Sequence, residues 1–153
     1  MPKITPFLWF DSQAEEAMNY YVSIFKRSTV LGVHHADGKV LTVTFELDGQ
    51  RFMGLNGGPL FKFSEAVSLF VDCETQEEVD ELWEKLSAGG EKGRCGWLKD
   101  KYGLSWQIIP KALLQLMSDA DPEKSKAVMQ AMLKMNKIVI EDLKRAYEAK
   151  AAA

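Results

Sequence analysis

The sequence predicts an α+β protein in which two βαβββ modules are paired and a helical extension follows. The first observation is an internal repeat: an apolar strand, an amphipathic helix and further strands occur twice in the same order, at a spacing of roughly 60 residues. The second is a pair of Asp-Gly turns between alternating apolar segments, which is typical of antiparallel hairpins. We assign residues 1–153 to a single domain, with the first module at 3–58, a second, abbreviated module at 65–110 and C-terminal helices at 111–150.

The composition is that of an ordinary globular domain, with 46% hydrophobic and 27% charged residues. The net charge of -3 and the dispersed lysines argue against nucleic-acid or anionic-membrane binding. No apolar run approaches the roughly 20 residues of a membrane-spanning helix, and the first residues do not read as a signal peptide, so we expect a cytoplasmic protein. Cys73 and Cys95 are not in a C-x-x-C motif, which excludes a zinc finger and favours two reduced thiols over a disulfide.

The first module begins with an apolar strand, Ile4 to Phe10, whose pattern suits burial on both faces. We expect Asp11 or Ser12 to cap the helix that follows. Two hairpin turns, Asp37-Gly38 and Asp48-Gly49, then separate the next strands. The apolar positions of the helix recur at helical spacing, and those of the strand from 40 to 47 alternate: Ala14, Ala17, Met18, Tyr21, Ile24 and Phe25; then Leu41, Val43, Phe45 and Leu47.

The second module repeats this order with a shorter strand set. Ala66 to Val71 predicts a strand, Thr75 and the acidic residues after it predict a helix start, and Gly89-Gly90 predicts its end. We expect an abbreviated or missing strand around Glu91 to Arg94. Strands at Trp97-Leu98 and Leu104 to Ile109 complete the module, and we expect the two modules to pair into a single sheet.

The remainder is predicted to be helical. Asp121-Pro122 is a cap followed by proline at the first helical position. Met129, Met132 and Met135 lie at a spacing that favours a core stripe over an interface or a cofactor lid. A last helix is marked by Ile140, Leu143 and Tyr147.

Several catalytic motifs are absent: the sequence has no P-loop, no G-x-G-x-x-G after a strand and no G-x-S-x-G elbow. His34 and His35 are neighbours on a strand, so they point to opposite faces, and we expect them to be solvated. Trp83 lies on a helix core face. Trp9 and Trp97 are the better candidates for a ligand pocket, with plain packing as the alternative.

Two segments carry a family resemblance. Phe7-Leu8-Trp9-Phe10-Asp11 with Ala14-Glu15-Glu16-Ala17, and Gly96-Trp97-Leu98-Lys99-Asp100 with Gly103-Leu104-Ser105-Trp106-Gln107, resemble the PhnB-like branch of the vicinal-oxygen-chelate (glyoxalase/bleomycin-resistance) superfamily. Members often carry the label 3-demethylubiquinone-9 3-methyltransferase-like. The resemblance covers residues 3 to 110 and implies a sheet curled around a pocket; many members are homodimers.

The metal-dependent relatives hold a divalent ion with His and Glu from the first and last strands of each module, and the ion acts as a template and Lewis acid. At the positions of the two Glu ligands this chain has Met53 and Gln107, and its opening strands contain no His. A thioether and a neutral amide do not make a site for a hard cation. We therefore predict no metal and no cofactor. The methyltransferase label has no matching S-adenosylmethionine motif here.

The first hypothesis is a dimeric protein that binds a small, aromatic or quinone-like molecule in a metal-free pocket. Aromatic side chains would supply apolar area and amides would orient a polar group. The proposed lining residues are Trp9, Met53, Asn56, Trp97 and Gln107.

The alternatives left open are a metal-independent enzyme, a metalloenzyme of the superfamily and a pure interaction module. A metal-independent enzyme requires a pocket carboxylate with a raised pKa, for which Glu46 and Glu65 are the candidates. An interaction module would fill the pocket with Trp9, Phe7 and Met53 and use the C-terminal helices for docking.

Overall fold

The computed structural model describes residues 2–151; the ends of our 1–153 assignment, Met1, Ala152 and Ala153, lie outside the described residues. The chain divides into two compact units, Met1–Phe63 and Ser64–Ala153. This boundary falls between the two proposed modules. The grouping of both units into one domain stays a prediction.

The first unit is a βαβββ module with strand order β1-β4-β3-β2. The strand β1 runs parallel to β4, whereas β2, β3 and β4 are antiparallel neighbours. Its elements are β1 (Phe7–Phe10), α1 (Ala14–Ile24), β2 (Thr29–Ala36), β3 (Lys39–Leu47) and β4 (Gln50–Asn56).

Both predicted Asp-Gly turns form. Asp37 and Gly38 have φ of 53° and 77°, and Asp48 and Gly49 have φ of 49° and 82°. Positive φ at both central residues is the type I′ turn, whose twist matches that of the flanking strands. The two turns therefore fix the registers of β2, β3 and β4.

The helix α1 packs against one face of this sheet, which carries the buried alternating positions of β3. Tyr21 stacks on Phe45 with ring centroids 6.3 Å apart, and both side chains are buried. A Cβ on Gly54 would lie 3.0 Å from Val43 and 3.3 Å from the Phe10 ring, so glycine allows the close approach there. Residues that share this face are Leu8, Phe10, Val43, Phe45, Leu47 and Phe52.

The expected cap of α1 by Asp11 or Ser12 was wrong. The N-cap residue is Gln13, which makes no side-chain cap hydrogen bond. Instead, Asn56 Oδ1 accepts a hydrogen bond from the backbone N–H of Ala14 at 2.8 Å. The helix start is thus capped from the end of β4, 42 residues away in the chain.

The second unit repeats the module with strand order β5-β8-β7-β6 and adds three helices. The expected abbreviated strand is confirmed as the two residues of β6. The elements are β5 (Ser68–Cys73), α2 (Gln76–Ser87), β6 (Glu91–Lys92), β7 (Trp97–Lys99), β8 (Ser105–Pro110), α3 (Lys111–Met117), α4 (Pro122–Leu133) and α5 (Ile140–Ala151).

The helix α2 follows its sequence signals closely. The Thr75 hydroxyl accepts from the backbone N–H of Glu78, which makes it the N-cap. The predicted apolar face is buried: Val79, Leu82, Trp83 and Leu86.

The expectation of a single sheet was wrong, because the ladder hydrogen bonds of the described residues define two four-stranded sheets. Each sheet runs from the parallel first strand of a module at one edge to a hairpin strand of the same module at the other edge. Each sheet thus consists only of strands from its own module.

The C-terminal helices are joined to α2 by polar contacts. The Gln76 side chain donates to Ile138 O at 3.0 Å and accepts from the Ile140 N–H at 2.8 Å, at the start of α5. Lys137 forms an ion pair with Asp80 at 2.8 Å. The predicted start at Asp121-Pro122 is confirmed. The core of this extension consists of Ile109, Leu113, Val128, Ile138 and Leu143, with Met132, Met135 and Tyr147 packed against it.

Candidate functional site

The first sheet has one face that α1 does not cover, which we call the open face of the first sheet. Alternation along the strands places on it the side chains of β1, β3 and β4 that are opposite in phase to the buried set. Most are half-buried and accessible in part. The residues that define this face are Phe7, Trp9, Gly32, His34, Thr42, Thr44, Glu46, Arg51, Met53 and Leu55.

The strand registers arrange this face in cross-strand rows. One row runs across the sheet through Phe7, Met53, Thr44 and Gly32. The next runs through Trp9, Leu55, Thr42 and His34. In these two rows the face is therefore apolar over β1 and β4 and polar over β3 and β2.

Trp9 is held in place by the loop after β4. Its indole N–H donates to Gly58 O at 2.9 Å, and its ring meets Phe61 edge-on with centroids 4.9 Å apart. A Cβ on Gly57 would come within 2.4 Å of the indole ring, so only glycine fits over it without a shift. The ring is half-buried and has a fixed orientation.

Met53 and Asn56, both proposed lining residues, have different positions. Met53 is half-buried on the open face, between Phe7 and Thr44. Asn56 uses both polar atoms on the backbone, since Oδ1 accepts from Ala14 N–H and Nδ2 donates to Val40 O at 3.2 Å. Asn56 is therefore a structural clamp at the end of β4.

The second unit brings the other two proposed residues together. Gln107 on β8 is the register partner of Phe70 on β5 and of Trp97 on β7. The Gln107 side-chain amide donates to Ser68 Oγ at 2.9 Å. Gln107 and Trp97 are half-buried, whereas Phe70 is exposed. These four residues place an amide and a hydroxyl between two aromatic rings. The sequence analysis did not predict Ser68 and Phe70.

The neighbouring row of this sheet contains Ser68, Ser105 and Lys99. Ser105 is fully buried, and its hydroxyl has no hydrogen-bond partner within residues 2–151. Lys99 forms an ion pair with Glu65, and that hydrogen bond lowers the pKa of the Glu65 carboxyl. A carboxyl that acts as a general acid at neutral pH needs a raised pKa, so Glu65 is unsuited to that role.

A buried carboxylate that sequence reasoning did not single out organises the turn before β8. Asp100 Oδ1 accepts from the backbone N–H groups of Tyr102 at 2.9 Å and Leu104 at 3.1 Å. Its Oδ2 accepts from the indole N–H of Trp106 at 2.9 Å. The signal in the sequence was the Asp-x-x-Gly turn at 100–103, which places a carboxylate beside the free amides of a tight turn.

The residues that the resemblance aligns with metal ligands do not fit a divalent ion. Met53 offers a thioether and Gln107 a neutral amide already bonded to Ser68. No group of three or more His, Cys, Asp or Glu side chains in the described part of the chain is arranged to hold a metal.

The two histidines and the two cysteines are the remaining candidates for chemistry. His34 and His35 are exposed on β2, with a register shift between them. Both cysteines are free thiols, and burial of Cys73 raises its pKa to about 12, which keeps the thiol protonated. No helix within residues 2–151 is long and apolar enough to cross a membrane.

Comparison with known proteins gives a family. The family model described as 3-demethylubiquinone-9 3-methyltransferase matches residues 2–109. A solved structure from Bacillus cereus, named as a PhnB protein and 3-demethylubiquinone-9 3-methyltransferase, is 40% identical, with 71% of this chain and 99% of that chain covered and a TM-score of 0.68. A search of curated proteins gave no match.

Two further structures share the fold at lower identity. A protein from Pseudomonas aeruginosa is 17% identical over 72% of this chain and 98% of its own, with a TM-score of 0.61. A glyoxylase/bleomycin resistance protein/dioxygenase domain from Frankia is 14% identical over 72% and 92% of the two chains, with a TM-score of 0.50. The chain therefore belongs to the 3-demethylubiquinone-9 3-methyltransferase-like, or PhnB-like, family, and it shares its fold with a glyoxylase/bleomycin resistance protein/dioxygenase domain.

Proposed function

We propose that this protein binds a small aromatic or quinone-like molecule, without a metal ion, at residues of the open face of its first sheet and at Trp97 and Gln107 of its second sheet. The observation that carries the proposal is the composition of the open face of the first sheet. Its apolar half holds Trp9 in a fixed orientation beside Leu55, one cross-strand row from Met53, and its polar half begins on the neighbouring strand at Thr44. A rigid aromatic ring, a polarisable thioether and a few placed polar groups are what small-molecule sites use.

The second unit supports the same proposal independently. Gln107 and Ser68 offer an amide and a hydroxyl beside the ring of Trp97. Both polar side chains are partly accessible, so a ligand oxygen can reach them. Trp97 and Gln107 are our proposed binding residues in this unit, with Trp9 and Met53 in the first.

Asn56 contributes to binding only indirectly in this proposal. Its amide is committed to Ala14 and Val40, so its task is to hold the end of β4. Met53 and Leu55 lie on that strand. Their positions are set by the pairing of β4 with β1, which ends at Asn56.

Catalysis has less support than binding. A metal-independent acid or base requires a pocket carboxylate with a raised pKa, and the pKa of Glu65 is lowered by Lys99. Glu46 is half-buried on the open face, opposite Arg51 in the strand register, so it is the carboxylate that a catalytic role would use. The methyltransferase name is only a family label in this proposal.

We propose further that the protein is a cytoplasmic homodimer. Support comes from large apolar side chains that are exposed: Phe7 on β1 is 52% accessible, and Leu60 and Phe61 in the following loop are 74% and 59% accessible. Native mass spectrometry tests this: a mass of two chains supports the dimer, and a single-chain mass at micromolar concentration contradicts it.

Isothermal titration with 2-naphthol tests the binding proposal. The wild-type chain should bind 2-naphthol, and Met53→Ala should weaken binding severalfold, because ring contacts over β4 are lost. Met129→Ala is the matched control, since Met129 is 40% exposed on α4, outside the open face. No binding of 2-naphthol by the wild-type chain, or an equal effect of both substitutions, would overturn the proposal.

A further inference from the structure

Three side chains in the polar half of the open face of the first sheet share one property. Thr42 and Thr44 on β3 and His34 on β2 have no hydrogen-bond partner within the described chain. They are adjacent, because His34 is the register partner of Thr42 and Thr44 is two residues further along β3. Two hydroxyls and an imidazole thus face the open side with their hydrogen-bonding capacity unused by the protein.

Gly32 leaves room beside these groups. It is the register partner of Thr44, at the end of the Phe7–Met53–Thr44 row. A Cβ built on Gly32 would meet only one atom within 4 Å, the Nε2 of His34 at 4.0 Å. The space over Gly32 is therefore open, and the His34 imidazole lies at its edge.

The strand order sets the length of ligand that can use both halves of the face. Neighbouring strands are about 5 Å apart, so the step from β4 to β3 is about 5 Å and from β4 to β2 about 10 Å. A single ring over Met53 places its oxygen near Thr44. Reaching His34 as well takes a second fused ring.

We propose that His34, Thr42 and Thr44 form a hydrogen-bonding subsite for the terminal oxygen of a bicyclic aromatic ligand, whose rings lie over Met53 and Leu55. This inference rests on the proposed binding function and adds the ligand class and the residues that select it. The hydroxyls of both threonines donate to or accept from a carbonyl or hydroxyl oxygen, and the imidazole binds the same oxygen from the side of β2. Glu46 and Arg51 form the next row of the face and stay outside the subsite.

The test compares 2-naphthol with naphthalene, which has the same rings and no oxygen. The wild-type chain should bind 2-naphthol more tightly. His34→Ala and the double variant Thr42→Val with Thr44→Val should each reduce that preference by about three- to tenfold, the usual effect of one lost hydrogen bond. His35→Ala is the matched control, because His35 pairs with Val40 beyond the register shift.

The chain has only two histidines, which gives a direct second readout. In a proton NMR titration with 2-naphthol, the ring signals of His34, assigned by their loss in His34→Ala, should shift more than those of His35. Naphthalene should leave the His34 signals nearly unchanged.

The outcomes separate this inference from the binding proposal. Binding of both probes with equal affinity, unchanged by His34→Ala and the threonine variant, would overturn the subsite and leave the binding proposal standing. Binding of neither probe would overturn both. A preference for 2-naphthol that survives all three substitutions would place the oxygen elsewhere and also overturn the subsite.

Discussion

The indole N–H of Trp106 donates to Asp100 Oδ2 at 2.9 Å, and this bond joins a tight turn to the strand that carries Gln107. Both residues are 2% exposed, so the carboxylate is taken from water and is compensated by its donors. Because Gln107 follows Trp106 directly, the same turn sets where the amide lies relative to Trp97.

Asp100→Asn should destabilise the protein by about 2 kcal/mol or more in chemical unfolding. The amide oxygen can still accept from Tyr102 and Leu104, but the amide nitrogen would then face the Trp106 N–H, donor against donor. Asp37→Asn, in an exposed hairpin turn, is the matched control and should change the unfolding free energy by less than about 0.5 kcal/mol. Equal effects of the two substitutions would contradict the role given to the Asp100 carboxylate.

Asn56→Ala should cost about 1–2 kcal/mol, because it removes the cap of α1 and the bond to Val40 O together. Asn56→Asp should keep the cap, since a carboxylate oxygen still accepts from Ala14 N–H, but its other oxygen would face Val40 O, acceptor against acceptor, so it should still cost about 1 kcal/mol or more. Thermal unfolding measured by circular dichroism ranks the variants. An aspartate variant as stable as the wild type would show that the bond to Val40 O contributes nothing.

Gly57→Ala should displace the Trp9 ring, because its Cβ would lie 2.4 Å from the indole. We expect a loss of stability of about 1–3 kcal/mol and weaker binding of 2-naphthol. Gly32→Ala is the fold control: its Cβ meets only His34 Nε2 at 4.0 Å, so the unfolding free energy should hardly change. A harmless Gly57→Ala would mean that Trp9 is not fixed by this loop.

The contact between α2 and the C-terminal helices should weaken in acid. The hydrogen bond from Lys137 lowers the pKa of Asp80, and one from Gln76 adds to this. A carboxyl whose pKa is lower in the folded state stabilises the fold above its ordinary pKa of about 3.9 and loses this contribution as the pH falls through the folded value. Because the pair is partly exposed, the effect should stay below about 1 kcal/mol.

Unfolding of wild-type and Asp80→Asn chains, compared between pH 6 and pH 2, checks this. The stability difference between the two should be largest at pH 6 and vanish at the acid end. A difference that stays constant across this range would show that ionisation of Asp80 does not contribute.

The local parts of the fold were predictable from the sequence. The Asp-Gly pairs at 37–38 and 48–49 require positive φ at two successive residues, which few other residues tolerate, so the hairpins and their registers follow. Thr75 caps α2 by accepting a hydrogen bond from the backbone N–H of Glu78, three residues later, and the helix starts where these residues predict. These signals act within a few residues of the chain.

The parts that the sequence did not disclose depend on distant residues. The cap of α1 comes from Asn56, which only the parallel pairing of β1 and β4 brings to Ala14. Phe70 and Ser68 join Gln107 through the parallel pairing of β5 and β8. Of the proposed binding residues, Trp9 and Trp97 were suggested by residue type and Met53 and Gln107 by the family resemblance, whereas placing Thr42 and Thr44 beside them required the register of β3.

The most direct test of the central claim measures 2-naphthol affinity and metal content on the same sample, before and after dialysis against a chelator. The protein should be purified without a metal-affinity tag, and metal should be determined by elemental analysis. We predict no stoichiometric metal and an unchanged dissociation constant. Near one equivalent of a divalent metal per chain, with binding lost after chelation, would contradict the metal-free proposal and make the protein metal-dependent.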